Sequence, residues 1–341
     1  MPGARASEFS QTVLYLGAMK DRQQILDSLH LRTPVVASPM FIVSRQQLVI
    51  ECCKAGILGT FPALNNRTTE GFEEWLVEIK SALAAEEKAT GKKLPPYGVN
   101  LIVHKTNPRV MPDLEVIVRQ QVPLVITSLG AVKDVVDAVH SYGGLVFHDV
   151  TNTYHAQKAI DAGCDGLICV AAGAGGHAGT LNPMPFVAEI RKMFDGVVLL
   201  GGAISTGDDI ASALQMGADL CYMGTRFIAT QEAIADEAYK QMIIDSGSRE
   251  IIYTASVSGI PANWMVGSLE AAGITKDMWD QKAKADFGAE HEAKAWKNLW
   301  SAGHGVATIH DNPPVSELVE RLHDDMVAAM QRQADRLANY K

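Results

Sequence analysis

One fragment recurs three times in this chain: a helix-ending glycine that runs straight into an apolar strand. It reads KAGILGTF at 54–61, DAGCDGLICVA at 161–171 and QMGADLCYMG at 215–224. Glycine ends a helix in the left-handed region without a Cβ clash, so each copy marks the same joint of one reused βα unit. Eight apolar or β-branched runs follow this rhythm: VVASPM (35–40), ILGTF (57–61), YGVNLIV (97–103), LVITS (124–128), LVFHDV (145–150), GLICVA (166–171), VVLLGGA (197–203) and LCYMGT (220–225). Runs with little polar alternation suit strands buried on both faces. Amphipathic segments lie between them, among them AVKDVVDAVHSY (131–142), TYHAQKAIDAG (153–163) and GDDIASALQMG (207–217). In the last, Asp208 or Asp209 is placed to cap the helix start and Gly217 to close its end. Eight such units predict an α/β fold, a TIM (β/α)8 barrel, with a doubly wound open sheet as the alternative.

After residue 226 the strand rhythm stops. Residues 227–300 read as helices anchored by Trp264, Trp279, Trp296 and Trp300, and interrupted by the turn-rich SVSGIPANW. The expected division is a barrel from residues 1–226 plus 306–341, with 227–305 as a helical insertion or lid beside its mouth. The last stretch places Val315, Leu318, Val319, Leu322, Met326, Val327 and Met330 on one helical face, as a closing helix on the barrel wall.

Charge and composition remove several classes. A formal charge of −9 leaves no basic stripe for nucleic acid or an anionic membrane surface. No apolar run reaches the roughly eighteen residues a membrane helix needs. The opening MPGARASEFSQTVLYLGAMK lacks an apolar core with a cleavage site, so no secretory leader is expected. The five cysteines are scattered and include no C-x-x-C, which suits a reducing cytoplasm and predicts neither a disulfide frame nor a metal site.

In a βα barrel the functional groups collect where strands end. Those ends carry Ser38, Pro39 and Met40, then Phe61 and Pro62, then Asn100, Ser128 and Asp149. They continue with the 173–179 loop, Gly201, Gly202 and Ala203, and Gly224 and Thr225. Glycines at the ends of the seventh and eighth strands predict a phosphate site, because main-chain N–H groups approach closely where no Cβ intervenes. Thr225 adds a hydroxyl there and Arg226 a charge.

The loop GAGGHAG also satisfies G-x-G-x-x-A, the dinucleotide pattern. That pattern opens a helix at once, whereas here the next helical stretch begins only near Pro185. The loop is read instead as a mobile, side-chain-poor segment presenting one imidazole, His177, to a flat cofactor face for proton transfer. His148, Asp149 and His155 share no helical face and predict no metal centre. With no G-x-S-x-G and no cysteine beside an evident base, acyl chemistry has no support.

VVASPM, GVNL, AGAGGHAG, LLGGAIS and YMGTRF, in this order over roughly residues 30–230, resemble the nitronate monooxygenase family, formerly called 2-nitropropane dioxygenase. Flavin-dependent enoyl-ACP reductases and certain NADH:quinone reductases belong to the same group. The resemblance implies a barrel that binds FMN. Its phosphate would lie on Gly201, Gly202, Gly224 and Thr225, and its ring near Ser38, Pro39, Met40 and Asn100. Gly176, Ala203 and Met223 complete the implied cofactor set. His177 matches the family's catalytic histidine. The implied reaction is oxidation of an alkyl nitronate by dioxygen to a carbonyl compound and nitrite, with NAD(P)H-dependent reduction of quinones or enoyl thioesters as the alternative. Two departures bear on the substrate. Asp149 stands where many relatives have a basic residue, leaving Lys105 to supply positive charge. His304 stands where relatives often read A-G-Q, which places a second imidazole near the pocket.

Overall fold

A computed structural model describes residues 21–130, 133–257, 259–279 and 299–341. Its central element is a closed parallel barrel. The strands are β1 (Val35–Ala37), β2 (Leu58–Pro62), β3 (Gly98–Ile102), β4 (Leu124–Ser128), β5 (Leu145–Val150), β6 (Gly166–Val170), β8 (Val197–Gly201) and β9 (Leu220–Met223). β9 pairs with β1 to close the ring. The barrel, rather than the open sheet, is therefore the fold. A two-residue strand, β7 (Gly176–His177), lies outside it, so the seventh and eighth barrel strands are β8 and β9.

The repeated joint behaves as its sequence requires. Gly56, Gly163 and Gly217 all have positive φ, at 94°, 89° and 106°. Inside the ring, Val36, Leu58, Ile126, Phe147, Ile168 and Leu199 form a closed apolar core. A larger core joins the outer faces of the strands to the helices. The helix over Gly207–Gln215 is capped by Thr206, whose hydroxyl accepts the Asp209 N–H, while the Asp209 carboxylate accepts the N–H groups of Ser205 and Thr206. Thr206 thus takes the capping position expected of an aspartate, and Asp209 completes a reciprocal box one turn in.

The closing helix, Val315–Leu337, packs on the helices at Gln46–Ala55 and Gly207–Gln215. It buries Val315, Leu318, Val319, Leu322, Met326 and Ala329, whereas Val327 and Met330 are exposed. Ala329 continues the three- and four-residue spacing of the buried stripe, and Val327 lies about a quarter-turn off it.

The segment after β9 is only partly helical. Helices occupy Glu237–Asp245 and Val266–Ala271, but between them β10 (Ile251–Thr254) and β11 (Ala262–Met265) form an antiparallel pair. β11 also pairs with β7, which joins this segment to the His177 loop. Two four-residue strands, one of them buried throughout, carry no alternation from which to read them. Trp264 is fully buried beneath the pair, against Leu269 and Leu299. Trp300 stacks on Tyr239 with ring centroids 5.1 Å apart, and Trp296 lies outside the described residues. Among the described residues no helix is long and apolar enough to cross a membrane. All five cysteines are buried and free.

Candidate active site

The carboxyl ends of the barrel strands open into one cavity of about 1020 Å³. Ser38, Pro39, Met40 and Asn100 line one side, and Gly201, Gly202, Ala203, Gly224 and Thr225 another. Gly176 and His177 reach it from the loop after β6. Eleven of the fourteen residues singled out by sequence therefore share one space. The other three do not line it. Met223 is 1% exposed and packed in the outer core between strands and helices, where strand alternation turns it away from the barrel interior. Lys105 is exposed on the turn after β3. His304 is exposed, with only its neighbours Gly303 and Gly305 reaching the lining.

The glycine loop is clamped rather than free. Gly176 and His177 pair in antiparallel register with Asn263 and Ala262. The Asn263 amide donates to the Ala174 carbonyl at 2.7 Å, and the Tyr253 hydroxyl donates to that of Ala178 at 3.0 Å. The absence of side chains lets these strands approach. It also lets the backbone of 173–175 cross the turn at Ala302–Gly303, where a Cβ on Gly175 would stand 2.9 Å from the Gly303 nitrogen. Burial takes the His177 imidazole from its usual range down to about 4, so it is uncharged at neutral pH.

At the ends of β8 and β9 the chain is shaped for close approach. Gly202 has φ +138°, a conformation open almost only to glycine, and the next residue, Ala203, sits at φ +56°. A Cβ on Gly224 would meet the Ser38 hydroxyl at 2.6 Å. The Thr225 hydroxyl oxygen accepts the Gly303 N–H at 2.9 Å, and its own proton remains to be given.

Arg226 corrects the expectation of a charge at this end. It is 2% exposed, donates to the carbonyls of Ala229 and Asp311, and pairs with the Asp311 carboxylate at 3.1 Å. Its guanidinium is thus committed to the fold. Arg226→Ala is expected to destabilise the protein by about 3–5 kcal/mol, because a buried charge network loses its centre. A chemical-denaturation midpoint measures this, and an unchanged midpoint would contradict it.

On the barrel floor, Asn100, Ser128 and Asp149 form a polar row across β3, β4 and β5. The Asn100 amide donates to the Ser128 hydroxyl at 2.7 Å, which donates to Asp149 at 2.5 Å. Burial pushes the Asp149 carboxyl up to about 6, against the opposing effect of the Ser128 bond. Beside it, the His148 imidazole is pulled down to about 4 by burial and by His155, and shares a 2.7 Å hydrogen bond with Thr127. Tyr222, Tyr253 and Asn263 also shape the site but stand out from no local pattern, since their partners are distant in sequence. Among the described residues no cluster of three or more His, Cys, Asp or Glu side chains is arranged to hold a metal ion.

A sequence profile for nitronate monooxygenase matches residues 108–325, well over half of the chain. The (3aS,4S,5R,7aS)-5-hydroxy-7a-methyl-1-oxo-octahydro-1H-indene-4-carboxyl-CoA dehydrogenase of Rhodococcus jostii is 26% identical, over 85% of this chain and 80% of its own. A nitronate monooxygenase of Neurospora crassa is 25% identical, over 85% of this chain and 88% of its own. Among solved structures, a nitroalkane oxidase from Streptomyces ansochromogenes has the same fold, with a TM-score of 0.74 at 24% identity, covering 90% of this chain and 99% of that one. Profile, relatives and barrel agree that this chain is an oxidoreductase belonging to the nitronate monooxygenase family.

Proposed function

We propose that this enzyme binds FMN and oxidises alkyl nitronates with dioxygen, giving a carbonyl compound and nitrite. The observation that carries the reading is an uncharged, half-buried imidazole, His177, presented by the glycine loop to the cavity that the two glycine-bearing strand ends also line. The residues fit a flavin mononucleotide. Gly201, Gly202, Gly224 and Thr225 would hold its phosphate, where added Cβ atoms at Gly202 and Gly224 would meet the Ala172 carbonyl and the Ser38 hydroxyl. Ser38, Pro39, Met40, Asn100, Gly176 and Ala203 would hold the rest. Bound there, the flavin supplies an electron acceptor and a partner for dioxygen.

The protein's own part is orientation and proton handling. The neutral His177 ring accepts the α-proton of a neutral nitroalkane on a ring nitrogen, or donates a hydrogen bond to a nitronate oxygen. The pairing of β7 with β11 fixes the backbone that carries the imidazole, and burial lowers the base strength of the ring.

The cavity's size favours a second reading, NAD(P)H-dependent reduction of a quinone or an enoyl thioester. About 1020 Å³ is at the top of the range for small-ligand sites, and the Rhodococcus relative is named for a CoA ester. One purification separates the two. An absorbance spectrum tests for flavin, oxygen uptake and nitrite release are followed with propionate 3-nitronate, and NADH and NADPH oxidation are followed with quinones. Nitrite release without nicotinamide is the expected result. Rapid NADH turnover without nitrite would overturn the first reading and leave the flavin assignment standing. A preparation that is colourless and cannot take up FMN would overturn both.

A further inference from the structure

Asp149 ends the inward-facing row of β5. Leu145 and Phe147 beneath it belong to the apolar interior of the barrel, and strand alternation puts Asp149 next on that face, at the cavity floor. The hydrogen bonds around it run one way. Asn100 gives its amide hydrogens to the Ile126 carbonyl and the Ser128 hydroxyl, and Ser128 gives its only proton to Asp149 Oδ2. Asp149 Oδ1 is buried with no hydrogen-bond partner among the described residues. The row therefore ends in a single oxygen at the floor of the site that no protein group among the described residues satisfies, leaving it to water, a ligand or a proton.

The groups that face it do not supply a cation there. Across the interior, Tyr222 on β9 is held neutral by burial beside Asp149. His148 on the same strand and His177 from the loop after β6 are both drawn down to about 4 by burial, so they carry no charge at neutral pH. From the helix Thr153–Ala162, His155 and Lys158 line the outer part of the cavity. A flat ligand that covers Asp149 removes the remaining water, and a carboxylate would then lie buried with one oxygen unsatisfied. The neutral acid carries no buried charge and turns that oxygen into a donor. A flavin ring offers several carbonyl and imine acceptors against a single N–H.

We propose that, in the loaded protein, Asp149 carries its proton on Oδ1 and donates it to an acceptor atom of the cofactor ring. The proposal rests on the flavin reading above. It makes cofactor binding depend on one proton. Below the point at which the free carboxyl ionises, near pH 6, affinity is unaffected by this group. Above it, affinity falls by about tenfold per pH unit, because the bound state must first recover the proton.

Titration of FMN into deflavinated full-length protein, followed by quenching of flavin fluorescence from pH 5.5 to 8, tests this. Asp149→Asn keeps a donor at every pH. The ratio of wild-type to Asp149→Asn Kd is expected to lie near one at pH 5.5 and to rise to roughly 100 at pH 8. Titration of the FMN phosphate affects both proteins alike and cancels in the ratio. Ser128→Ala removes the bond that lowers the carboxyl's pKa, so the break in its own pH curve should move to higher pH. Parallel curves for wild type and Asp149→Asn, weaker binding by Asp149→Asn throughout, or an unmoved break in Ser128→Ala would each overturn the assignment. Failure of wild type to bind FMN at any pH would overturn the flavin reading itself, an outcome distinct from FMN binding that ignores pH.

Discussion

His177→Ala is expected to lower turnover of a neutral nitroalkane by roughly 10²–10⁴-fold, the usual worth of a positioned general base, with flavin content close to wild type. His177 is the only titratable side chain on the 173–179 loop. Its backbone is held by pairing with Ala262 rather than by the imidazole, so removing the ring leaves the clamp in place. A pre-formed nitronate has no α-proton to lose, and the same variant should therefore impair nitronate turnover much less. Steady-state rates with nitroethane and with its nitronate, set beside the flavin-to-protein absorbance ratio, measure all three quantities. Equal loss of flavin and of turnover would mean that the ring is structural.

The pH profile carries the same argument. Burial takes the His177 imidazole down to about 4, so it remains a free base far below the range of an ordinary histidine. Turnover of neutral nitroalkanes should not lose an acid limb between pH 7 and 5 on this residue's account. For stability the sign is different. The imidazoles of His148 and His177 are depressed in the fold, so the unfolded chain binds their protons first and stability declines as pH falls from about 6.5 towards 4. Asp149, raised to about 6, acts the other way, because its folded form holds a proton that the unfolded chain has released. Thermal melts of wild type and Asp149→Asn across that interval separate the two contributions. The wild-type decline on acidification should be the shallower one, since only it retains the opposing group.

The barrel could be read from the chain because one local rule is repeated. Gly56, Gly163 and Gly217 each turn a helix into a strand, and each following strand is apolar enough to need cover on both faces. Fixing the strand ends also fixed most of the cavity, since a barrel gathers those ends whatever the intervening helices do. The errors lie where position depends on something remote. Arg226 has the composition of an anion ligand, but Asp311, eighty-five residues on, takes its charge. The His177 loop reads as mobile from its glycines, yet Asn263, eighty-nine residues from Ala174, holds it down. Lys105 was placed by the charge the site was expected to need and His304 by its position in a motif, and neither is among the residues that line the cavity.

Gly303→Ala should separate the roles of the loop and the ring. Gly303 has φ −88° and ψ 171°, an extended conformation in which alanine is at ease, so no backbone strain enters. Packing alone opposes the methyl. A Cβ there would lie 2.5 Å from the Gly173 carbonyl oxygen and 2.9 Å from the Gly175 nitrogen, both main-chain atoms that no side-chain rotation can move aside. The turn must back away from the loop. Two bonds stretch when it does: the Gly303 N–H to the Thr225 hydroxyl and the His304 N–H to the Gly173 carbonyl, each 2.9 Å. Thr225 then loses its alignment at the proposed phosphate site while the His177 loop loses its floor. Flavin content and turnover are expected to fall together, each by about tenfold or more, since two hydrogen bonds of roughly 1 kcal/mol are lost along with the steric shift. Gly143→Ala is the control for a glycine on an open surface. It has φ +85° but nothing within 4 Å of the added carbon, so its effect is confined to a modest loss of stability. Were Gly303→Ala to keep its flavin and lose only turnover, as His177→Ala should, the crossing of the two segments would position the imidazole without shaping the proposed phosphate site.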